Sequence, residues 1–129
     1  MSRLSGFSLI EIVLAIAILS IAIVPIMNIF PQVLMTSREI ERANRASFLA
    51  QKTIEEVKSK ALADFSLIYT CSATAFSGTD SMFKYTVSDN GNTAIKTISV
   101  KVWFDKNGNG SINTDEEWIE LNTKAAKRE

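Results

Sequence analysis

Two stretches of this sequence hold side chains whose types and spacing could do chemistry. The first centres on Glu11, a carboxylate set within GFSLIEIVLAIAIL at residues 6–19. From Ile12 to Met27 there is no charge, and Ser20 is the single polar side chain. A carboxylate at the centre of a membrane-crossing helix costs about 2.5–3.5 kcal/mol, so Glu11 needs a partner to offset it. The second stretch is DKNGNGSINTDE, residues 105–116. It follows the calcium-loop template, with Asp105, Asn107 and Asn109 at the first, third and fifth positions. Gly110 stands at the sixth, where the template turns sharply. Ser111 would offer its carbonyl, Asn113 a side chain or a water, and Glu116 two oxygens; Ile112 fills the apolar eighth place. Only Asp105 and Glu116 of these are charged, and a β-rich run precedes the loop instead of a helix. The expected affinity is therefore the weak range of extracellular modules, about 10⁻⁴–10⁻³ M. The same residues also suit a Gly/Asn-rich connection whose side chains bond the backbone.

Other chemistries find little support. The chain has no histidine, which removes the commonest general base and transition-metal ligand. Cys71 is alone, so no intrachain disulfide or CxxC site can form, and a small apolar residue in or near the core is its expected role. No nucleophile stands with a base and there is no phosphate loop. The chain is not expected to be an enzyme. A formal net charge of +0, with no basic stretch interleaved with aromatics, argues against a nucleic-acid site.

The elements that must position these residues fall into four zones. Residues 1–6 are a short polar head. Residues 7–35 are apolar and helix-like, and long enough to cross a bilayer core of about 30 Å. A cleaved secretory signal would show a shorter apolar run and a small-residue cleavage site after it; here the run is followed by Asn28, Ile29, Phe30, Pro31, Gln32 and Val33. A retained anchor is expected. Pro25 and Pro31 each remove a backbone donor, which predicts a kink or loosened stretch and not a helix end. Residues 36–62 are an amphipathic helix with a seam of Ile40, Ala43, Ser47, Ala50, Ile54, Val57 and Ala61, widened by Phe48 and Leu49. Glu41–Arg45 and Glu56–Lys60 are acid-first pairs on its polar side. Residues 63–129 alternate with period two. Phe83, Tyr85 and Val87 share one face, as do Ile98, Val100, Val102 and Phe104; Thr97, Ser99, Lys101 and Trp103 face the other way. Residues 89–92 supply turn chemistry, and 117–122 place Ile119 and Leu121 together. Residues 65–70 suit either a strand or a connection, and 122–129 a frayed tail. The fold class expected is α+β: one long N-terminal helix, half membrane-spanning and half amphipathic, packed on a small antiparallel sheet.

The residues from Gly6 to Leu19 resemble the N-terminal signature of type IV pilins and of the pseudopilins of type II secretion: Gly, an aromatic, a hydroxyl residue, Leu-Ile, Glu, then an uncharged run. The stretch ERANRASFLAQKTIEEV at residues 41–57 resembles the minor subunits of those systems. The resemblance implies that a membrane prepilin peptidase cuts between Gly6 and Phe7, that Phe7 is then N-methylated, and that Glu11 serves assembly. Cleavage creates an α-amine with an ordinary pKa of about 7.7–8.0. Glu11 could pair with its own helix's amine or with that of a neighbouring subunit, and the resemblance favours the neighbour. It further implies a structural subunit of a pilus or secretion-like filament, with other pilin-like subunits, an inner-membrane assembly platform and the lipid bilayer as partners. The chain would cross the bacterial inner membrane once, with its C-terminal domain outside the cytoplasm, and then enter a periplasmic or extracellular filament. No cofactor is required; calcium is the one ion the loop could take. One feature departs from this pattern. Only Arg3 precedes the span, whereas Arg38, Arg42 and Arg45 follow it, and charge counting alone would put the C-terminal side in the cytoplasm. The alternative from another class is a membrane-tethered calcium-binding module that does not polymerise.

Overall fold

The computed structural model describes residues 6–127. Its elements are a helix α1 (Leu9–Ala63) and four strands, β1 (Cys71–Ala75), β2 (Phe83–Asp89), β3 (Ile95–Phe104) and β4 (Trp118–Ala126), with a short 3-10 turn at Gly78–Asp80. The chain divides into two compact units, Met1–Glu39 and Ile40–Glu129, and the division falls inside α1.

In the first unit every described residue is exposed. Its most apolar 18-residue window has a mean hydropathy of 2.8 and none of it is buried. A helix apolar all round with nothing packed on it suits a lipid or helix-lined setting. Ser20 donates its hydroxyl to the Ile16 carbonyl at 2.8 Å, so even the polar side chain of this run is satisfied within the helix. Pro25 and Pro31 both lie inside the helix. Each lacks the N–H that the carbonyl four residues earlier, Ile21 or Met27, would accept, yet the helix runs on through both, as expected.

In the second unit the helix from Ile40 onward lays a stripe on the sheet. Ala46, Leu49, Ala50, Thr53, Ile54 and Ala61 are its buried residues, recurring at three and four as an amphipathic helix requires. The strands are ordered β1-β2-β3-β4, every neighbour antiparallel. Register places Val87 opposite Val100, Tyr85 opposite Val102 and Val100 opposite Leu121, so the apolar rows of three strands lie side by side. Phe83, Val87, Ile98, Val100 and Val102 meet the helical stripe in one core, with Tyr85, Ile119 and Leu121 at its margin.

Several local expectations are corrected. Of the two readings open for residues 65–70 the connection holds, and a strand lies just after them at Cys71–Ala75. That strand is made of small residues and its register shifts between Cys71 and Thr74, so it shows no alternation to read. Residues 122–126 are not a frayed tail: they continue β4 against Ile95 to Ser99, because β3 is long enough to pair them. Phe48 does not widen the apolar stripe but stays 55% exposed, and so does Ile40. Arg45 does not pair with Glu41 along the helix; it reaches Asp80 with two bonds of 2.8 and 2.7 Å, which a planar guanidinium satisfies better than a monodentate neighbour. Glu56 and Lys60 do pair, at 2.7 Å. Trp103 alternates onto the face opposite Val102 yet is only 1% exposed, so both faces are covered at that end of β3.

Candidate functional site

At the N-terminal site, the helix begins two residues beyond the Gly6–Phe7 bond, after Phe7 and Ser8. Glu11 N and Ile12 N both donate to the Ser8 carbonyl, at 3.0 and 3.2 Å, and the first helical residue is Leu9. Gly6, Phe7 and Ser8 belong to no helix or strand and are exposed, Phe7 by 78%. A peptide bond must enter a peptidase in extended form, so a bond just ahead of a helix is available where one inside it would first have to be unwound. A Cβ built on Gly6 meets nothing within 4 Å, and Gly6 is not among the glycines with positive φ. Neither crowding nor backbone strain in this chain calls for glycine at that position. Residues 1–5 of the expected leader, Arg3 among them, lie outside the described residues.

Glu11 sits in the first turn of α1 and is exposed. An acid in that turn faces the positive end of the helix dipole, a local reason for the residue type beside any intermolecular one. Of the arginines after the apolar run, two are occupied in the folded second unit. Arg45 binds Asp80, and Arg42 lies over the Phe104 ring, 4.4 Å from its centroid. Their presence after the apolar run has a packing cause of its own.

The loop at residues 105–116 joins β3 to β4 and is built on two buried carboxylates. Asp105 is 1% exposed and Glu116 5%. Asp105 Oδ1 accepts the Gly108 N–H at 2.8 Å and Oδ2 the Gly110 N–H at 2.9 Å. Glu116 Oε1 accepts the Lys106 N–H at 2.8 Å, while Oε2 accepts both the N–H and the side-chain amide of Asn113 at 3.1 Å. Asn107 Oδ1 takes the Asn109 N–H and Asn109 Oδ1 the Ser111 N–H; the Asn113 amide reaches the Ser111 carbonyl at 3.0 Å. Gly110 turns with φ 73°, a conformation glycine adopts without steric cost. Burial pushes the Glu116 carboxyl up, but the Lys106 and Asn113 N–H groups and the Asn113 amide outweigh it and hold it below its ordinary range, against the charge of Asp105. Neither carboxylate forms an ion pair among the described residues. No three His, Cys, Asp or Glu side chains among those residues are grouped to hold a metal, so a cation here would rest on amide and backbone oxygens beside the two carboxylates.

The sequence reading missed a second pair of buried charges, Lys96 and Asp89. The signal was present: each continues the inward-facing row of its strand, Lys96 after Ile98, Val100 and Val102, and Asp89 after Val87.

Compared with known proteins, residues 1–27 match the family model described as the prokaryotic N-terminal methylation motif. Comparison with curated proteins and with solved structures gave no match. The matched segment contains Gly6, Phe7, Glu11 and most of the apolar run. In an α+β arrangement of one long helix and a four-stranded antiparallel sheet, this chain carries at its N-terminus, extending into that helix, the prepilin-type motif of type IV pilins and pseudopilins.

Proposed function

We propose that this chain is a structural subunit, of the minor pilin or pseudopilin kind, of a type IV pilus or type II secretion-like filament. A prepilin peptidase cuts between Gly6 and Phe7, Phe7 is N-methylated, and the apolar half of α1 first holds the subunit in the inner membrane and then packs among other subunits. The observation that carries this reading is the methylation motif at residues 1–27 joined to an apolar first half of α1 whose described residues are all exposed. The cut matters chemically because it creates the amine that Glu11 lacks. A paired carboxylate in lipid is far less costly than a lone one, so pairing with a neighbour's amine would favour assembly and fix the stagger between subunits. The glycine that this chain's own structure does not demand is then explained by the peptidase that reads it. Mass spectrometry of the native protein should show a mature chain beginning at Phe7 with one added methyl; an intact Met1 in cells containing the peptidase would refute the proposal.

The second reading, a calcium site at residues 105–116, is favoured by one observation. Two carboxylates are buried with no cationic side chain on either among the described residues, and buried charges are ordinarily paired or metal-bound. Asp105 Oδ1 and Oδ2 and Glu116 Oε1 each accept one N–H and retain a second lone pair. Isothermal titration of the protein with calcium should show heat at millimolar concentration, lost in Asp105→Asn; no heat at that concentration removes the site.

A further inference from the structure

The inward-facing rows of β2 and β3 end, at the same end of the sheet, in opposite charges. Lys96 and Asp89 have side chains 1% and 0% exposed, with Nζ 3.0 Å from Oδ2. Every polar atom of the pair is used. Lys96 Nζ also donates to the Leu67 carbonyl at 2.6 Å and lies 5.4 and 5.8 Å from the ring centroids of Phe65 and Tyr69. Asp89 Oδ2 accepts the Tyr69 N–H at 3.1 Å and Oδ1 the Gly91 N–H at 3.0 Å. Both charges therefore bind the connection between α1 and β1, through one carbonyl and one N–H on either side of Ile68.

That connection has little else holding it. Among the described residues the fully buried apolar ones all lie on α1, β2, β3 and β4; none belongs to residues 64–75. Within β1 only Cys71 is even half-buried. Leu67 and Ile68 stand 54% and 65% exposed. Apart from the half-buried Phe65, Tyr69 and Cys71, the segment is retained by polar bonds and by a short, irregular pairing of β1 with β2. A segment with few buried apolar contacts opens more readily than the core beneath it, while a buried, fully hydrogen-bonded ion pair is strongly disrupted when one partner is removed.

We propose that Lys96 and Asp89 form a latch, and that residues 64–75 are a strap which opens as a unit, uncovering the edge of β2, when the latch is broken while α1, β2, β3 and β4 stay folded. This rests on the geometry of the second unit alone and is independent of the filament reading. The test uses the full chain in detergent micelles with two built-in reporters. Cys71, the single cysteine, reports on the strap through its rate of reaction with DTNB. Trp103 and Trp118, on β3 and β4, report on the rest of the sheet through their emission. Lys96→Met and Asp89→Asn should each speed thiol reaction at least tenfold with tryptophan emission unchanged. An unchanged thiol rate overturns the latch, and so does a faster rate that appears only together with loss of native emission. If either variant fails to fold, amide exchange on the unaltered chain still decides the strap. The Tyr69 amide and the β1 amides paired to β2 should exchange at least tenfold faster than those of residues 98–102, and equal rates overturn it.

Discussion

Glu11 and the pair Asp105–Glu116 are carboxylates in unfavourable places, and their surroundings treat them differently. Glu11 is exposed on an apolar helix and makes no side-chain hydrogen bond among the described residues; in the proposed assembly a neighbour's amine compensates it. We predict that Glu11→Ala still inserts in the membrane, as judged by fractionation, but no longer enters filaments. Unchanged incorporation would show that the charge does not drive assembly. Replacing Gly6 by Val should leave the leader uncut on mass spectrometry with the helical circular dichroism unaltered, since nothing in the chain crowds that position. Asp105 and Glu116, by contrast, are compensated internally by N–H groups of their own loop. Glu116→Gln keeps the shape but weakens those charge-assisted bonds, so it should lower the melting temperature and make the Lys106 amide exchange faster. A melting curve identical to that of the unaltered chain would mean the carboxylate charge is not what closes the loop.

Among the elements, β3 carries most of the second unit, because it is the longest strand, pairs with β2 and β4, and buries Ile98, Val100, Val102 and Trp103. Ile98 is 0% exposed at its centre. Ile98→Ala should cost about 2–5 kcal/mol in denaturant unfolding, the usual range for a buried large-to-small change that leaves a cavity. β4 is mostly polar or small in composition but is registered along nine positions of β3, from Ile95↔Ala126 to Trp103↔Trp118. Removing residues 122–129 would strip the partners of Ile95 to Ser99 and is expected to give an aggregating or unfolded product, read by loss of the native tryptophan emission. The contrast with β1 is physical: β4 buries Ala125 and contributes Ile119 and Leu121 to the core margin, whereas β1 contributes only Cys71.

For the molecule as a whole, acid should act through its bonded carboxylates. Asp80 is held below its ordinary range by the bonds and charge of Arg45. Asp89 is pushed up by burial but brought below its ordinary range by the Gly91 and Tyr69 N–H groups and by Lys96, and Glu116 is lowered as described. A carboxyl whose folded pKa is depressed contributes stability that is present above its unfolded value, about 4, and lost as pH falls through the folded one. Thermal melts should thus be flat near neutrality and fall below about pH 4. A melting temperature that rises on acidification would contradict this sign. The second unit holds its own core and its own ion pairs, so a fragment starting at Ile40 is expected to give dispersed amide resonances in water without detergent.

What the sequence alone determined was whatever rests on neighbours along the chain. The apolar run, the motif around Gly6, Phe7 and Glu11, the helical stripe and the alternating strands are periodicities of a few residues, and the α+β arrangement follows from them. The Gly110 turn was readable for the same reason, since only glycine enters that backbone region freely. What tertiary structure decided were contacts between segments far apart. Arg45 could be satisfied by Glu41 four residues away or by Asp80 thirty-five away, and only folding selects the one that offers two parallel bonds. β1 and the end of β4 have no local pattern strong enough to declare them; they become strands because β2 and β3 present unpaired edges to them. Asp89 read as turn chemistry in sequence and Lys96 carried no assignment; the two became a buried pair because the sheet register and the α1–β1 connection close over both at once.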